Sequence, residues 1–481
     1  MDRIVIKFGG TSMGSAYAMQ QSAEIVKFYI KRNPVVVVSA VGKDIDDGNS
    51  EKVTDMLIYC HKKAEDAKLV KTKLDEIAER HYTLMKSLNL DYATIDSELT
   101  DLGNSLDSYR GHLISRTANR EAAVRLQNNK ESLLDGLDDI DEVVRKRFSA
   151  EIQSYGERLS AKIFASYLSQ RFDAQAYNAF DIGMITDSEF EAAKPLNEAF
   201  SMLKKNIAKM RCVPVITGYI GKDIRGSGTL LIGRGGSDYS AAVIANAITA
   251  KELLIYSDAD GIMTADPKII KTARTIPELS FEEAAELTYF GAKILHPSSV
   301  VPAIRKNITV KVLNTFNPSG SGTTITKRHS KGNAIKGIAN KEVYILTVKN
   351  PEMVGERGFA EKIFSISEQY GISVETIGTS SIEISYTFEK NGISDLADLI
   401  TALQNVGEVS RSEGTSINVV GDALKSTPGM MGDICSILGD NKINIMMPVC
   451  ANGSALNLLI NRRNGKKALR VLHEELIEKK N

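Results

Sequence analysis

Four segments combine charged residues with glycine in ways suited to holding a phosphorylated ligand. Lys7-Phe8-Gly9-Gly10-Thr11-Ser12 follows the apolar run Arg3 to Phe8 and precedes a helical pattern beginning near Ser15. Two glycines let the backbone approach a ligand, a helix start offers free N–H donors, and a lysine ending a strand supplies a point charge for phosphate. Because the lysine precedes the glycines, the segment is not a Walker-type loop, and alone it is also ordinary turn structure. Gly233-Arg234-Gly235-Gly236-Ser237-Asp238 opens an apolar helix, Ala241 to Ala247. Its arginine suits bidentate capture of a carboxylate, while Ser237 or Asp238 could serve as the helix N-cap. Ser257-Asp258-Ala259-Asp260-Gly261-Ile262-Met263-Thr264-Ala265-Asp266-Pro267-Lys268 follows a strand, where α/β folds bind ligands and where acidic turns are also common. The fourth segment is Gly291-Ala292-Lys293-Ile294-Leu295-His296-Pro297.

The six histidines are dispersed, and Cys60, Cys212, Cys435 and Cys450 form no Cys-x-x-Cys pair. No protein-built metal site is expected, and the cysteines read as reduced, mostly buried thiols.

The elements that must position these residues are legible in the periodicity. Arg3 to Phe8, Pro34 to Ser39, Ala174 to Ala179, Val213 to Gly218, Glu252 to Ser257 and Thr309 to Leu313 read as strands covered on both faces, hence an α/β domain with a largely parallel sheet. Glu51 to Ala150 lacks strand signal and proline, and reads as a helical insertion with solvated charged faces. Asn317-Pro-Ser-Gly-Ser-Gly is a turn-rich connection, either a hinge or a surface loop. Beyond Lys336 the chain repeats itself: Gly358-Phe-Ala-Glu-Lys-Ile-Phe-Ser-Ile returns as Gly429-Met-Met-Gly-Asp-Ile-Cys-Ser-Ile, an offset of 71 residues. Each copy reads strand, helix, strand, strand, helix, which makes a duplicated α+β domain.

Composition narrows the partners. The 481 residues carry 60 Lys+Arg against 60 Asp+Glu, so no basic excess points to nucleic acid or an anionic membrane. No apolar stretch approaches the ~18 residues of a membrane span, and the N-terminus lacks a signal peptide's apolar core, so a cytoplasmic protein is expected.

Taken jointly and in this order, the four motifs resemble those of the aspartokinase family, and the insertion and paired C-terminal repeats resemble its lysine-sensitive class. The resemblance covers essentially the whole chain. It implies an amino-acid-kinase fold over residues 1–328, a three-layer sandwich around a mostly parallel sheet with the 51–150 insertion, followed by two ferredoxin-like ACT domains at 336–412 and 413–481. It implies ATP-dependent phosphorylation of the side-chain carboxylate of L-aspartate, the entry to lysine, threonine and methionine biosynthesis. Another amino-acid kinase, for glutamate or acetylglutamate, would match only the first part of the chain. A non-catalytic ACT-type sensor would leave Lys7 and the Arg234 loop unexplained. No room is expected for a homoserine dehydrogenase domain after the second module.

The resemblance assigns residues as well. Lys7 and Asp238 are implied as catalytic, and Ser39, Thr54, Glu157, Arg234, Gly235, Gly236 and Ser237 as aspartate contacts, with Arg234 on the α-carboxylate and Glu157 on the α-ammonium. For ATP it implies Lys7, Phe8, Gly9, Gly10, Ser257, Asp258, Met263, Lys268, Lys293 and Ile294, with Gly9 and Gly10 giving backbone donors. Mg2+ would be held mainly by ATP oxygens and water. For an effector, expected to be lysine, it implies Met353, Gly358, Phe359, Ala360, Ser373, Val374, Glu375, Thr379 and Ser380, the acidic group taking ammonium. Assembly as a homodimer through the ACT modules, or as a tetramer, is also implied. The chemistry agrees: a carboxylate nucleophile with a pKa of ~3.9 is already ionised at neutral pH and needs no general base.

Overall fold

The structure is a computed structural model and describes residues 3–44, 50–125, 131–231, 235–291, 295–327, 335–355, 357–390, 395–422, 424, 427–449 and 454–479, with backbone alone for 118–125 and 131–140. It comprises two compact units, Met1–Gly261 with Leu295–Lys327, and Ile262–Ile294 with Arg328–Asn481.

The first unit starts with β1 (Val5–Phe8), α1 (Ala16–Phe28) and β2 (Val35–Val38), both strands buried along their length. Ser15 caps α1 by accepting the Ala18 N–H at 3.3 Å, the helix start expected from the sequence. The insertion is helical: α2 (Val53–Lys62), α3 (Ala67–Ser87), α4 (Ala93–Arg125) and α5 (Glu131–Ser169). Its last helix runs beyond residue 150, and its apolar residues Leu57, Ile77 and Phe164 share one core with Ile6, Phe8 and Val36 of the sheet. Then come β3 (Ala174–Tyr177), β4 (Ile185–Thr186), α6 (Asn197–Ile207), β5 (Val213–Thr217), β6 (Ile220–Asp223), β7 (Gly228–Leu230), α7 (Gly236–Ile248) and β8 (Glu252–Ser257). After β9 (Glu278–Ser280) and α8 (Phe281–Phe290), which belong to the second unit, α9 (Pro297–Arg305), β10 (Thr309–Asn314) and β11 (Thr323–Thr326) complete the first.

Its main sheet runs β3-β5-β2-β1-β8-β10-β11 in this unit, and all six runs read as strands are present. Every pairing from β3 to β10 is parallel, and β11 adds an antiparallel strand. From β1 the chain goes by way of α1 to β2 on one side, while β8 lies on the other. The carboxyl end of β1, where Lys7 sits, is therefore a topological switch point of the kind at which α/β sheets bind ligands.

The second unit adds β12 (Gly337–Lys349), α10 (Phe359–Gln369), β13 (Thr376–Thr379), β14 (Glu383–Glu389), α11 (Leu396–Gln404), β15 (Glu408–Val420), α12 (Met430–Asp440), β16 (Ile445–Val449), β17 (Ala455–Asn461) and α13 (Gly465–His473). Its antiparallel sheet has the order β13-β14-β12-β15-β17-β16. The repeat is visible in detail: Gly358 and Gly429 are the N-caps of α10 and α12, at φ of 82° and 85°, a left-handed conformation suited to glycine. Register adds what periodicity does not give. Residues 343–349 of β12 lie between β14 and the start of β15, whereas residues 337–342 pair with 415–420 beside β17. Each module thus takes its fourth strand from a segment continuous with the other.

Of the described cysteines, Cys60 is buried, Cys212 half-buried and Cys435 exposed, all free. Cys435 departs from the expected burial because it lies off the Met430, Ile434, Leu438 stripe that α12 buries. Among the described residues no helix is long and apolar enough to cross a membrane.

Candidate active site

Lys7, the penultimate residue of β1, has its ammonium 2.6 Å from a carboxylate oxygen of Asp238, both side chains 9% exposed. Asp238 lies in the first turn of α7, whose N-cap is Gly235 at φ 76°. Neither Ser237 nor Asp238 is the cap: the left-handed residue at 235 starts the helix early and aims Asp238 back at the sheet. An ammonium has three donors, so the ion pair fixes Lys7 and leaves it able to meet a phosphate oxygen.

The turn after β1 is tightly built. The Gly9 N–H donates to the Tyr256 carbonyl at 3.0 Å, and the Gly42 N–H donates to the Gly10 carbonyl at 2.9 Å. The expected role of Gly9 as a ligand donor is therefore corrected, since its N–H belongs to the link between the turn and β8. A Cβ on Gly42 would lie 2.3 Å from the Gly10 carbonyl carbon. Gly42→Ala must displace this turn; a fall of ~10-fold or more in kcat/KM for ATP is expected in steady-state assays, with a lowered melting temperature.

Glu157, on α5, is 3% exposed. One carboxylate oxygen accepts the Ala40 N–H at 3.1 Å, and the other is buried without a hydrogen-bond partner among the described residues. Burial pushes its pKa up to about 8, against smaller opposing effects of the Ala40 N–H and the Lys7 charge. Gly156 makes this placement possible: a Cβ there would stand 2.8 Å from the Ala40 Cβ and 3.3 Å from Leu57, so only glycine lets α5 approach so closely. Ser39 directly follows β2, and Thr54 is in the first turn of α2, whose Val53 N–H donates to the Val41 carbonyl at 3.1 Å. One short segment, 39–42, thus joins the glycine turn, Glu157 and the start of α2.

The fourth wall is formed by Gly218, Tyr219 and the start of α7. Gly218 packs on Ser237, where a Cβ would meet the hydroxyl at 2.8 Å, and a Cβ on Gly236 would meet the Tyr219 ring at 2.1 Å. Tyr219 holds φ 65°, an uncommon conformation for a bulky residue, and burial and the Glu157 charge both raise its phenol pKa. Sequence reasoning missed it; its signal was its place just past the end of β5, the strand beside β2. The structure therefore brings together Lys7, Gly9, Gly10, Ser39, Thr54, Glu157, Gly235, Gly236, Ser237 and Asp238. Phe8 instead stacks in the core on Tyr256, 5.6 Å between ring centroids. Ser257 ends β8, its hydroxyl accepting the Ala259 N–H at 3.3 Å, and Asp258 beside it is exposed. Arg234, Lys293 and Ile294 lie outside the described residues.

In the second unit Met263 is half-buried and Lys268 exposed. Phe359 fills the core of the first module, so of Gly358, Phe359 and Ala360 it is the backbone at the start of α10 that remains for a ligand. Met353 ends a short 3-10 turn before that glycine. Ser373 and Val374 precede β13, with Val374 packed against the module's core. Thr379 ends β13, ~13 Å of strand beyond Glu375, Ser380 begins the turn to β14, and both hydroxyls bond locally. Glu375, its side chain 3% exposed, is ion-paired with Lys341, whose ammonium also lies 3.6 Å from Glu389 and 5.1 Å from the Tyr289 ring centroid. In the second copy of the repeat the residue corresponding to Glu375 is Met446.

Known proteins match this chain along its length. The amino acid kinase family model matches residues 2–314 and an ACT domain model matches residues 417–476. The chain is 30% identical to chloroplastic aspartokinase 2 of Arabidopsis thaliana, covering 98% of this chain and 84% of that protein. It is 29% identical to lysine-sensitive aspartokinase 3 of Escherichia coli, covering 99% of both. Among solved structures, E. coli aspartokinase III in complex with lysine and aspartate matches with a TM-score of 0.76 at 26% identity, over 99% of this chain and 100% of that one. The same enzyme in complex with aspartate and ADP matches equally well, over 98% and 99%. A kinase fold whose switch point carries a buried lysine–aspartate pair, continued by a duplicated α+β region, is thus matched along its whole length, and the chain belongs to the aspartokinases of the amino acid kinase family.

Proposed function

We propose that this aspartate kinase binds its amino-acid substrate with the α-ammonium on Glu157 and the α-carboxylate on Arg234, with Ser39, Thr54 and the 235–237 backbone closing around it. The observation that carries this reading is the buried, half-satisfied carboxylate of Glu157. Burial keeps this carboxyl protonated near neutral pH, and a cationic ligand group placed against its unpartnered oxygen would favour the ionised form. The aspartate side-chain carboxylate attacks the γ-phosphorus, the bond to the β-phosphate oxygen breaks, and ADP leaves. Lys7, oriented by Asp238, faces the charge that grows on the transferring group. Gly10, Ser257, Asp258, Met263, Lys268, Lys293 and Ile294 are assigned to the nucleotide. Among the described residues no cluster of three or more His, Cys, Asp or Glu could hold a metal ion. The fitting ion is Mg2+, carried by nucleotide oxygens and water, and it would neutralise phosphate charge. Aspartate-dependent ADP release, with hydroxylamine capture of the acyl phosphate, tests the assignment. ADP release unaffected by aspartate would refute it.

The same reading gives the first ACT module an amino-acid effector, lysine, supported by the resemblance to the E. coli lysine-sensitive enzyme, and an assembly as a homodimer or tetramer. Effector ammonium at Glu375 must displace Lys341, an internal ammonium already there. Lys341→Met should therefore tighten lysine inhibition ~10-fold in dose–response assays, whereas an unchanged response would remove Lys341 as competitor.

A further inference from the structure

The segment that carries Met263 and Lys268 folds into the core of the second ACT module. Ala265 and Ile270 are buried in the same cluster as Ile434, Leu469, Leu472, Leu476 and Ile477. The loop's ends close on each other, with the Thr264 N–H donating to the Arg274 carbonyl at 2.9 Å and the Ile276 N–H to the Ile262 carbonyl at 2.8 Å. The Ile338 N–H at the start of β12 donates to the Thr264 carbonyl at 2.8 Å.

One side chain ties this loop to the end of α13. His473 is 1% exposed, with Nε2 3.0 Å from the Thr264 hydroxyl and Nδ1 2.8 Å from Glu478. A carboxylate accepts only, so Nδ1 donates to Glu478, and in the neutral ring Nε2 accepts from Thr264. The Thr264 hydroxyl accepts the Arg274 N–H at 3.1 Å, and the Thr272 hydroxyl donates to the same Glu478 oxygen. Both partners of the imidazole therefore lead back to the loop.

The backbone is shaped for this connection. Residues Glu474–Glu478 form a π-helical turn, closed by the Lys479 N–H donating to the Glu474 carbonyl at 3.0 Å. A π turn stacks residues five apart, which brings Glu478 over His473, and such turns concentrate at functional positions. The same turn buries the adjacent residues Leu476 and Ile477 in the module's core.

We infer that His473 is a positioning residue for the nucleotide loop, tying Thr264 and Thr272 to the second ACT module so that the loop's shape depends on the end of α13. The inference rests on the assignment of Met263 and Lys268 to ATP. A displacement of α13 would alter the loop next to Met263.

Steady-state kinetics on the full chain test it, with ATP and aspartate varied separately. His473→Ala is expected to raise the KM for ATP on the order of 10-fold, with the aspartate KM within about twofold of wild type. His473→Gln, which keeps a hydrogen-bonding group near Nε2, should recover most of the loss. Glu478→Ala alters an exposed side chain, and should raise the ATP KM in a protein whose melting curve is unchanged even if His473→Ala does not fold. Lys268→Ala checks the underlying assignment. If Lys268→Ala raises the ATP KM while the Glu478 and His473 variants leave it alone, or raise both KM values equally, the positioning role is overturned. If Lys268→Ala leaves the ATP KM unchanged, the nucleotide assignment itself fails.

Discussion

Lys7→Ala is expected to lower kcat by about 10²–10³-fold, the range found when one preorganised donor to transition-state charge is removed. The ATP KM should change much less, because the interaction strengthens as charge moves onto the transferring phosphoryl group. The substitution also leaves Asp238 buried without its counter-charge, which would destabilise the fold by about 3–5 kcal/mol if the carboxylate stayed ionised. Loss of activity must therefore be separated from loss of structure. Lys7→Ala combined with Asp238→Asn removes both charges, so its melting temperature should recover toward wild type while kcat stays low. Recovery of activity together with stability would show that Lys7 is structural.

Glu157→Gln should act on binding instead. Truncating one member of a buried charge pair costs about 2–5 kcal/mol, so the aspartate KM should rise ~30-fold or more with kcat far less affected. The pH dependence follows from the raised pKa of the empty site. Only ionised Glu157 can pair with the substrate ammonium, so kcat/KM for aspartate should fall as pH drops below about 8, and this limb should vanish in the variant. Stability should move the opposite way. A carboxyl whose folded pKa exceeds its unfolded value makes the folded state bind more protons, so its contribution falls as pH rises from the ordinary carboxylate range to about 8. Above that pH the Glu157→Gln variant should melt at or above the wild-type temperature, checked by calorimetric scans at about pH 8.5. A residue that lowers stability where it raises affinity is one that serves binding.

The main sheet was legible because its central strands are short, mostly apolar runs covered on both faces, as Val35–Val38 shows, whereas the edge strand Ala174–Tyr177 is only half-buried. The repeat was legible because Gly358 and Gly429 start equivalent helices with the same buried stripe. The pairing of Lys7 with Asp238 was not visible in either pattern. It depends on β1 and α7 meeting at the switch point, and entered only through resemblance. Tyr219 went unseen because a bulky residue at positive φ has no signature in hydrophobic periodicity. The 257–268 segment reads as acidic turn chemistry, yet Ala265 within it and Ile270 just beyond are core residues of a module that begins far along the chain. Local pattern reports which face an element buries and not against what. The role of Glu375 entered through resemblance alone, and its pairing with Lys341 from β12 was likewise invisible in local pattern.

The proton balance of aspartate binding tests the central claim most directly, measured at about pH 7 by calorimetry in buffers of different ionisation enthalpy, with a non-hydrolysable ATP analogue present. With Glu157 titrating at about 8 in the empty site and ionised beneath the substrate ammonium, close to one proton should be released per aspartate bound, and none in Glu157→Gln. Proton-neutral binding by the wild type, or equal release by the variant, would contradict the assignment of Glu157 as the residue that receives the substrate's ammonium.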